Sequence, residues 1–435
     1  MSVSMYNIIE KKINKETLTR EELDYFVTGM CAGEIPDYQT SALIMAIFLN
    51  GMGDQEITDL TLAMLHSGEQ MDLSAIPGIK VDKHSTGGIG DTTTLVLTPL
   101  VASCGGKVAK MSGRGLGVAT GTVDKLESIP GFRTALSSEE FISNVNSIGI
   151  SLVGQTKNIA PADKKMYAIR DVTATAKSLP LIASSIMSKK LASGADKFVL
   201  DVKVGTGALV QKYEDGIKLA KLMCRIGQLS GHETVCYITN MNRPLGRNVG
   251  HLLEVQEAVA TLRGDGAEDV DELCVRLAAE MLSLAEIDTF ENCKQKAQEA
   301  LKSGAALKKF KQLVERQGGM FEAIENPALY YEKPCVYSVK APASGYINIL
   351  RAEDIGRATA VLGAARKTKD APIDFQAGLS FTKRYSEYVK AGEELCRLYS
   401  KDDAHMAEAE ALVLHTVELK KEAFVPEPLI FEVVR

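Results

Sequence analysis

Ile79–Gly117 reads IKVDKHSTGGIGDTTTLVLTPLVASCGGKVAKMSGRGLG. Short apolar runs alternate there with glycine loops around one apolar helix, Leu95–Ser103, which is the rhythm of βαβ units. Upstream, residues 1–70 carry helix signals alone: Arg20–Gly33 (REELDYFVTGMCAG) ends on a glycine suited to a C-cap, and Tyr38–Leu49 has a broad apolar face. Downstream, Pro161 and Pro180 stand where first-turn prolines stand, ahead of ADKKMYAIRDV and LIASSIMSKKLAS, so 161–193 is helical and can rejoin the first helices. Strand-like runs resume in Asp196–Leu209 and Glu233–Met241. From about Val336 glycines and prolines punctuate short β-type runs. The fold expected is α/β. A small all-α lobe takes 1–70 and 161–193, a large α/β lobe with a mixed sheet takes 71–160 and 194–335, and a β-rich, hammerhead-like α+β segment takes 336–435.

The chain's 435 residues are enough for one to three domains, and 45% apolar with 24% charged residues is a globular composition. Fifty Lys and Arg against 56 Asp and Glu give a net charge of -6, and no basic run is interleaved with aromatics. A nucleic-acid partner has little support, and a small-molecule partner is expected. The longest apolar stretch, Ala42–Leu49, is far short of the ~20 residues of a membrane span, and the first residues show no signal-peptide pattern. No membrane partner and a cytoplasmic location are expected. The eight cysteines are scattered without a CxxC pair, which argues against structural zinc and a disulfide framework.

Three constellations carry possible chemistry. Lys83–Thr94 (KHSTGGIGDTTT) combines glycines, hydroxyls and a lysine ahead of a helix, a composition that cradles phosphate; the plain alternative is a turn with threonines capping the helix. It fits neither the G-x-x-x-x-G-K-[ST] nor the G-x-G-x-x-G pattern. A second loop, Lys110–Glu127, would converge on the same crevice, and Arg114 and Asp124 within it read as a structural ion pair. On helices, Asp163, Tyr167 and Arg170 share one face, as do Ser185 and Lys189, and together they offer donors to a planar group with carbonyl oxygens. Solvated surface is the ordinary use of such residues. Here Ser184–Ser185 and Ser188–Lys189–Lys190 interrupt an otherwise apolar helix. His84 sits inside the anion loop, while the other five histidines read as structural or surface.

The stretches Lys83–Ser103, Lys110–Gly117, Gly121–Phe132, 161–208 and Arg243–Ala258 resemble the pyrimidine-nucleoside phosphorylase and thymidine phosphorylase family, over nearly the whole chain. The resemblance implies reversible phosphorolysis of pyrimidine nucleosides by a homodimer, with phosphate on the α/β side, the base on the α side, and closure joining them. It implies inorganic phosphate as co-substrate and no organic cofactor. It assigns phosphate contacts to Lys83, Ser85, Thr94, Ser112 and Thr122, with Lys110 and Met111 beside them, and base contacts to Tyr167, Arg170, Ser185 and Lys189. His84 corresponds to a histidine near the pyrimidine O2. His84, Lys83, Arg170 and Lys189 are thus the catalytic set, and Lys110 stands where it can favour a ribose 2′-hydroxyl. A potassium site is implied at Gly90, Thr92, Leu245, Asn248 and Glu257. Truncating Arg170 or Lys189 is expected to spare the fold, since both should face a cleft.

One departure stands out: the family's Gly-His-Thr-Gly-Gly-Thr is Gly117-Val118-Ala119-Thr120-Gly121-Thr122 here. If position 120 needs a left-handed backbone, Thr120 is strained, and a hydrogen bond associated with closure is lost. Restoring His, Thr and Gly at 118–120 is then expected to raise activity. A phosphoribosyltransferase-like enzyme and a weakly catalytic nucleoside-binding protein are the alternatives. For the C-terminal segment a carrier-domain reading competes with a packing role.

Overall fold

The computed structural model describes residues 3–115, 117–156, 158–366 and 371–435; Leu116 of the second glycine loop lies outside them. Four helices come first, α1 (Met5–Ile13), α2 (Arg20–Ala32), α3 (Asp37–Asn50) and α4 (Asp54–His66). Caps set their ends: Thr19 and Glu22 form a reciprocal capping box on α2, and Gly33 closes it at φ +79. A buried Lys12–Glu56 pair at 2.8 Å ties α1 to α4.

The α/β part begins with β1 (Val81–Ser85), α5 (Thr93–Ser103), β2 (Val108–Ser112), α6 (Thr122–Glu127), α7 (Ser138–Ile148) and β3 (Ile150–Gly154). Two helices interrupt it, α8 (Pro161–Val172) and α9 (Leu179–Ala192). Met166 and Ile169 of α8 and Leu181 of α9 pack into the core of the first four helices, with Phe26, Met30, Ile44 and Leu60. The sheet then resumes with β4 (Lys197–Val204), α10 (Tyr213–Leu229), β5 (Thr234–Asn240), β6 (Asn248–Gly250) and α11 (His251–Arg263). Helices α12 (Glu268–Leu284), α13 (Phe290–Lys302), α14 (Ala305–Arg316) and the short α15 (Glu322–Glu325) follow. α5 is buried from Thr93 to Ala102, which explains why its sequence has no polar face.

The C-terminal segment holds β7 (Cys335–Lys340), β8 (Gly345–Ile349), α16 (Ala352–Thr359), β9 (Gly378–Phe381), β10 (Tyr388–Val389), β11 (Glu394–Ser400), α17 (Met406–Thr416), β12 (Val417–Lys420) and β13 (Ile430–Val434). β1, β4 and β5 are parallel neighbours, and β13 adds antiparallel to β5, giving a mixed sheet of order β1-β4-β5-β13. β2 and β3 form a parallel pair joined to β1 through a bridge between Lys80 and Lys107. Two antiparallel sheets, β6-β9-β11-β7 and β10-β8-β12, complete the molecule. The fold class is the one read from the sequence. The boundary at 335 is less clean than that reading: β13 returns to the central sheet, and β6 leaves the α/β part to pair with β9. Strand partners lie far apart in sequence, so local pattern cannot assign them.

Candidate active site

The loops after β1 and β2 line one cleft of about 1010 Å³, and α8 and α9 form its opposite wall. Past Ser85 the chain turns at Gly87 (φ +94), and Gly88 packs against the end of the Met241 side chain. Ser85, Thr94, Ser112 and Thr122 line this end of the cleft. The Ser112 hydroxyl is buried with no partner among the described residues, which leaves it free for a bound oxyanion.

Strand alternation decides which charges reach the cleft. On β1, Lys83 and its neighbours Asp82 and His84 point to opposite faces. The Lys83 ammonium contacts Thr93, lies 3.5 Å from Asp201 and 4.0 Å from Asp91, and does not line the cleft. Lys83, expected to contact phosphate, thus has its ammonium buried beside Asp201 and Asp91, the latter a residue of the cleft wall. Lys110 does line the cleft, donating to the Lys83 carbonyl and standing 3.2 Å from Asp82 Oδ1. Lys190 holds the other Asp82 oxygen at 2.6 Å. Its neighbour Lys189 looks alike in sequence, yet Lys190 is buried at 1% exposure; the apolar setting of Lys189–Lys190 was the only signal. In and beneath the floor Lys83, Lys110, Lys125, Lys190 and Lys203 oppose Asp82, Asp91, Asp201 and Glu254, with Lys110, Lys125 and Asp91 reaching the cleft, a surplus of one positive charge when Lys110 is protonated.

Burial, with the ammonium groups of Lys190 and Lys83, brings Lys110 down to about 7 against the opposing pull of Asp82. Burial and the ammonium groups of Lys190, Lys110, Lys189 and Lys83 hold His84 well below the usual histidine range. His84 is therefore neutral at pH 7 and offers one N–H donor rather than a positive charge. Met111 lines the cleft next to Lys110.

On the facing wall, Asp163 Oδ2 accepts from the Lys189 ammonium at 2.7 Å, and Lys189 also reaches Ser185 Oγ at 3.0 Å. The Arg170 guanidinium lies 5.8 Å from the centre of the Tyr167 ring. It donates to the carbonyls of Leu181 (3.1 Å) and Ala176 (2.8 Å), while its Nε is buried and has no partner among the described residues. Arg170 is only 2% exposed, so the expectation that its truncation spares the fold is corrected: it pins the α8–α9 connection as well as lining the cleft.

The second loop also differs from expectation. Thr120 does not have a positive φ; the left-handed residue is Gly117 (φ +62). The strain argument for Thr120 therefore falls. Instead its hydroxyl donates to Glu254 Oε1 at 2.6 Å, and Val118 packs against Gly356 on α16. Glu254 and its partner Lys125, 2.6 Å apart, were not singled out in the sequence, because nothing local marks residues 125 and 254 as neighbours. Arg114 and Asp124 do pair, at 2.8 Å, and Arg366 joins Asp124 from the C-terminal segment at 2.7 Å.

Near the start of α5, Gly90 is pressed against the carbonyls of Leu245 and Asn248: a side chain on it would lie 2.5 and 3.2 Å from them. The Thr92 hydroxyl is buried without a partner among the described residues. Burial raises Glu257 to about 7, despite bonds from the Arg247 and Asn248 amides, and Asp269 and Glu254 add to the rise. Two carbonyls facing Gly90, a buried hydroxyl and a carboxylate are oxygen donors of the kind a hard cation takes.

Residues 78–307 match the family described as "Glycosyl transferase family, a/b domain", 6–68 match its helical bundle domain, and 346–420 match the "Pyrimidine nucleoside phosphorylase C-terminal domain". A helical bundle joined to an α/β part with a cleft between them is thus, by class, a glycosyltransferase of this family. A pyrimidine-nucleoside phosphorylase from Geobacillus stearothermophilus is 50% identical over 397 residues, 91% of this chain and 92% of that one. Another, from Bacillus subtilis, is 49% identical over 424 residues, 97% of this chain and 98% of that one. Within the class, the chain belongs to the pyrimidine-nucleoside phosphorylase family. Among solved structures, anthranilate phosphoribosyltransferase from Thermus thermophilus matches with a TM-score of 0.57 at 19% identity, over 71% of this chain and 99% of that one, a likeness of fold.

Proposed function

We propose that the chain catalyses reversible phosphorolysis of pyrimidine ribo- and 2′-deoxyribonucleosides, including uridine, thymidine and deoxyuridine, to the free base and (deoxy)ribose 1-phosphate. One observation carries the reading at the level of the site: an oxyanion pocket (Ser85, Thr94, Ser112, Thr122) and a donor-rich wall (Tyr167, Arg170, Ser185, Lys189) line the same cleft. The names of the relatives agree with it.

In the forward direction, inorganic phosphate held by the four hydroxyls attacks C1′ while the C1′–N1 bond breaks. Its electron pair leaves with the pyrimidine, and negative charge spreads to the ring carbonyls. The Lys189 ammonium, the unpartnered Nε–H of Arg170 and the Ser185 hydroxyl meet that charge, and neutral His84 adds one N–H donor. The positive surplus of this network, which reaches the cleft through Lys110 and Lys125, favours the anionic nucleophile. Tyr167 packs beside Arg170 and walls the base. The test is release of uracil or thymine from nucleosides with and without phosphate, with the sugar phosphate measured; release that ignores phosphate would sink the reading. Pyrophosphate- and Mg²⁺-dependent consumption of a phosphoribosyl donor would favour the phosphoribosyltransferase alternative instead.

Two features of the assembled enzyme belong to the same proposal. Gly90, Thr92, Leu245, Asn248 and Glu257 would hold potassium, which when bound supplies the charge that Glu257 lacks and ties the first glycine loop to the start of β6. Potassium chloride is then expected to raise Tm above choline chloride of equal ionic strength, and Glu257→Gln to remove the difference. Tyr6, Ile13, Tyr38 and Leu49 on the outer face of α1 and α3 are 59–75% exposed, a patch suited to a homodimer contact. The reading also places the enzyme in the cytoplasm, where its eight free thiols remain reduced.

A further inference from the structure

The chain from β2 to α6 is bound tightly to itself. At Gly121 a side chain would meet the Gly115 nitrogen at 1.9 Å, so the two ends of the loop cross in backbone contact. Gly115 N donates to Asp124 Oδ2 at 2.7 Å, and Val123 N donates to Gly113 O at 3.2 Å. These ties fix the shape of the loop, not its place over the floor.

Its place depends on contacts with other elements. At the Gly115 end, Arg366 grips Asp124. At the end nearer Thr122, the Thr120 hydroxyl donates to Glu254 Oε1 at 2.6 Å, in the first turn of α11. Glu254 is fully buried and is located independently of the loop: the Gly250 amide donates to Oε1 at 3.1 Å. The Lys125 ammonium, 2.6 Å from Oε2, also donates to the Asp91 carbonyl at 2.6 Å, in the first glycine loop. A single carboxylate therefore connects both anion loops to α11.

We propose that Thr120 is a positioning residue for the phosphate half of the site. Its hydroxyl anchors the second loop to α11, and so holds Thr122 and Ser112 at the spacing from Ser85 and Thr94 that an anion needs. The bond is charge-assisted, and removing its donor both frees the loop and leaves a buried carboxylate oxygen with the Gly250 amide alone, next to the place an anion must occupy. Both effects act on phosphate and neither acts on the base wall.

The inference rests on the phosphorolysis reading, and one set of assays separates them. KM for phosphate, KM for uridine, kcat and the phosphate-induced rise in Tm are measured for wild type, Thr120→Val, Thr120→Ala and Thr120→Ser. Val keeps the shape without the hydroxyl, Ala removes it without added apolar bulk, and Ser keeps it. Val and Ala are expected to raise KM for phosphate about tenfold, to leave KM for uridine within about twofold, and to shrink the phosphate-induced Tm shift; Ser restores all three. A wild-type phosphate KM in whichever of Val or Ala folds, an equal rise in both KM values, or failure of Ser to restore overturns the role of Thr120. Absence of phosphate-dependent turnover in the wild type overturns the functional reading itself, and the anchor with it.

Discussion

Lys110 is held by Asp82 and by the Lys83 carbonyl, yet it titrates at about 7 because burial and two neighbouring ammonium groups act against its charge. Below that pH it is a cationic donor and above it a neutral amine. A preference for uridine over thymidine that relies on the charged form should therefore fade as pH rises through 7, by about fivefold if one hydrogen bond of ~1 kcal/mol is at stake. The ratio of kcat/KM for the two nucleosides from pH 6 to 8.5 measures this, and Lys110→Met should give a lower ratio that is flat in pH. A wild-type ratio that does not move with pH removes Lys110 from sugar recognition. Arg170→Ala should lose both base affinity and stability, by about 2–4 kcal/mol, because the Leu181 and Ala176 carbonyls lose their donor. Equal Tm values for the variant and the wild type would contradict that. The residues lining the cleft were largely legible, since Ser85, Ser112, Arg170 and Lys189 stand in motifs whose composition announces polar work. What the sequence hid was the direction of Lys83 and the partners of Lys190 and Lys125, because a buried ion pair joins residues that no local pattern relates.

The second glycine loop shows how an element can adapt to its own sequence. Thr120 sits in an ordinary backbone conformation and makes a bond to Glu254 that glycine cannot make, and Val118 fills the space above Gly356. The combined change Val118→His, Ala119→Thr and Thr120→Gly is therefore expected to lower kcat/KM rather than raise it, opposite to the expectation from the motif alone. Steady-state kinetics on the triple variant decides the matter: a gain would show that the contacts with Gly356 and Glu254 are incidental. The helices were readable from caps and prolines, as at Thr19, Gly33 and Pro161, because those signals are local. The strand exchange was not, since β13 joins β5 across about 190 residues and only tertiary pairing selects that edge.

For the whole molecule, pH acts through buried histidines as well as the cleft. Burial lowers His251 to about 4, so between pH 6.5 and 4 the unfolded chain takes up a proton that the folded chain refuses, and stability is lost as pH falls. His84 acts in the same direction. Glu257, raised to about 7, works oppositely, since the folded chain binds its proton first between pH 7 and 4.5. The informative quantity is thus the difference between wild type and His251→Gln in urea denaturation at pH 7 and pH 4.5: the variant should escape a loss of about 2 kcal/mol. Parallel slopes would mean that His251 is already charged in the fold. The most direct test of the protein as a whole is turnover of uridine and thymidine by the purified chain with inorganic phosphate varied and both products quantified. We expect base and (deoxy)ribose 1-phosphate in equal amounts, saturating in phosphate and absent without it; base release without sugar phosphate, or none at any phosphate concentration, would contradict the function assigned to the cleft.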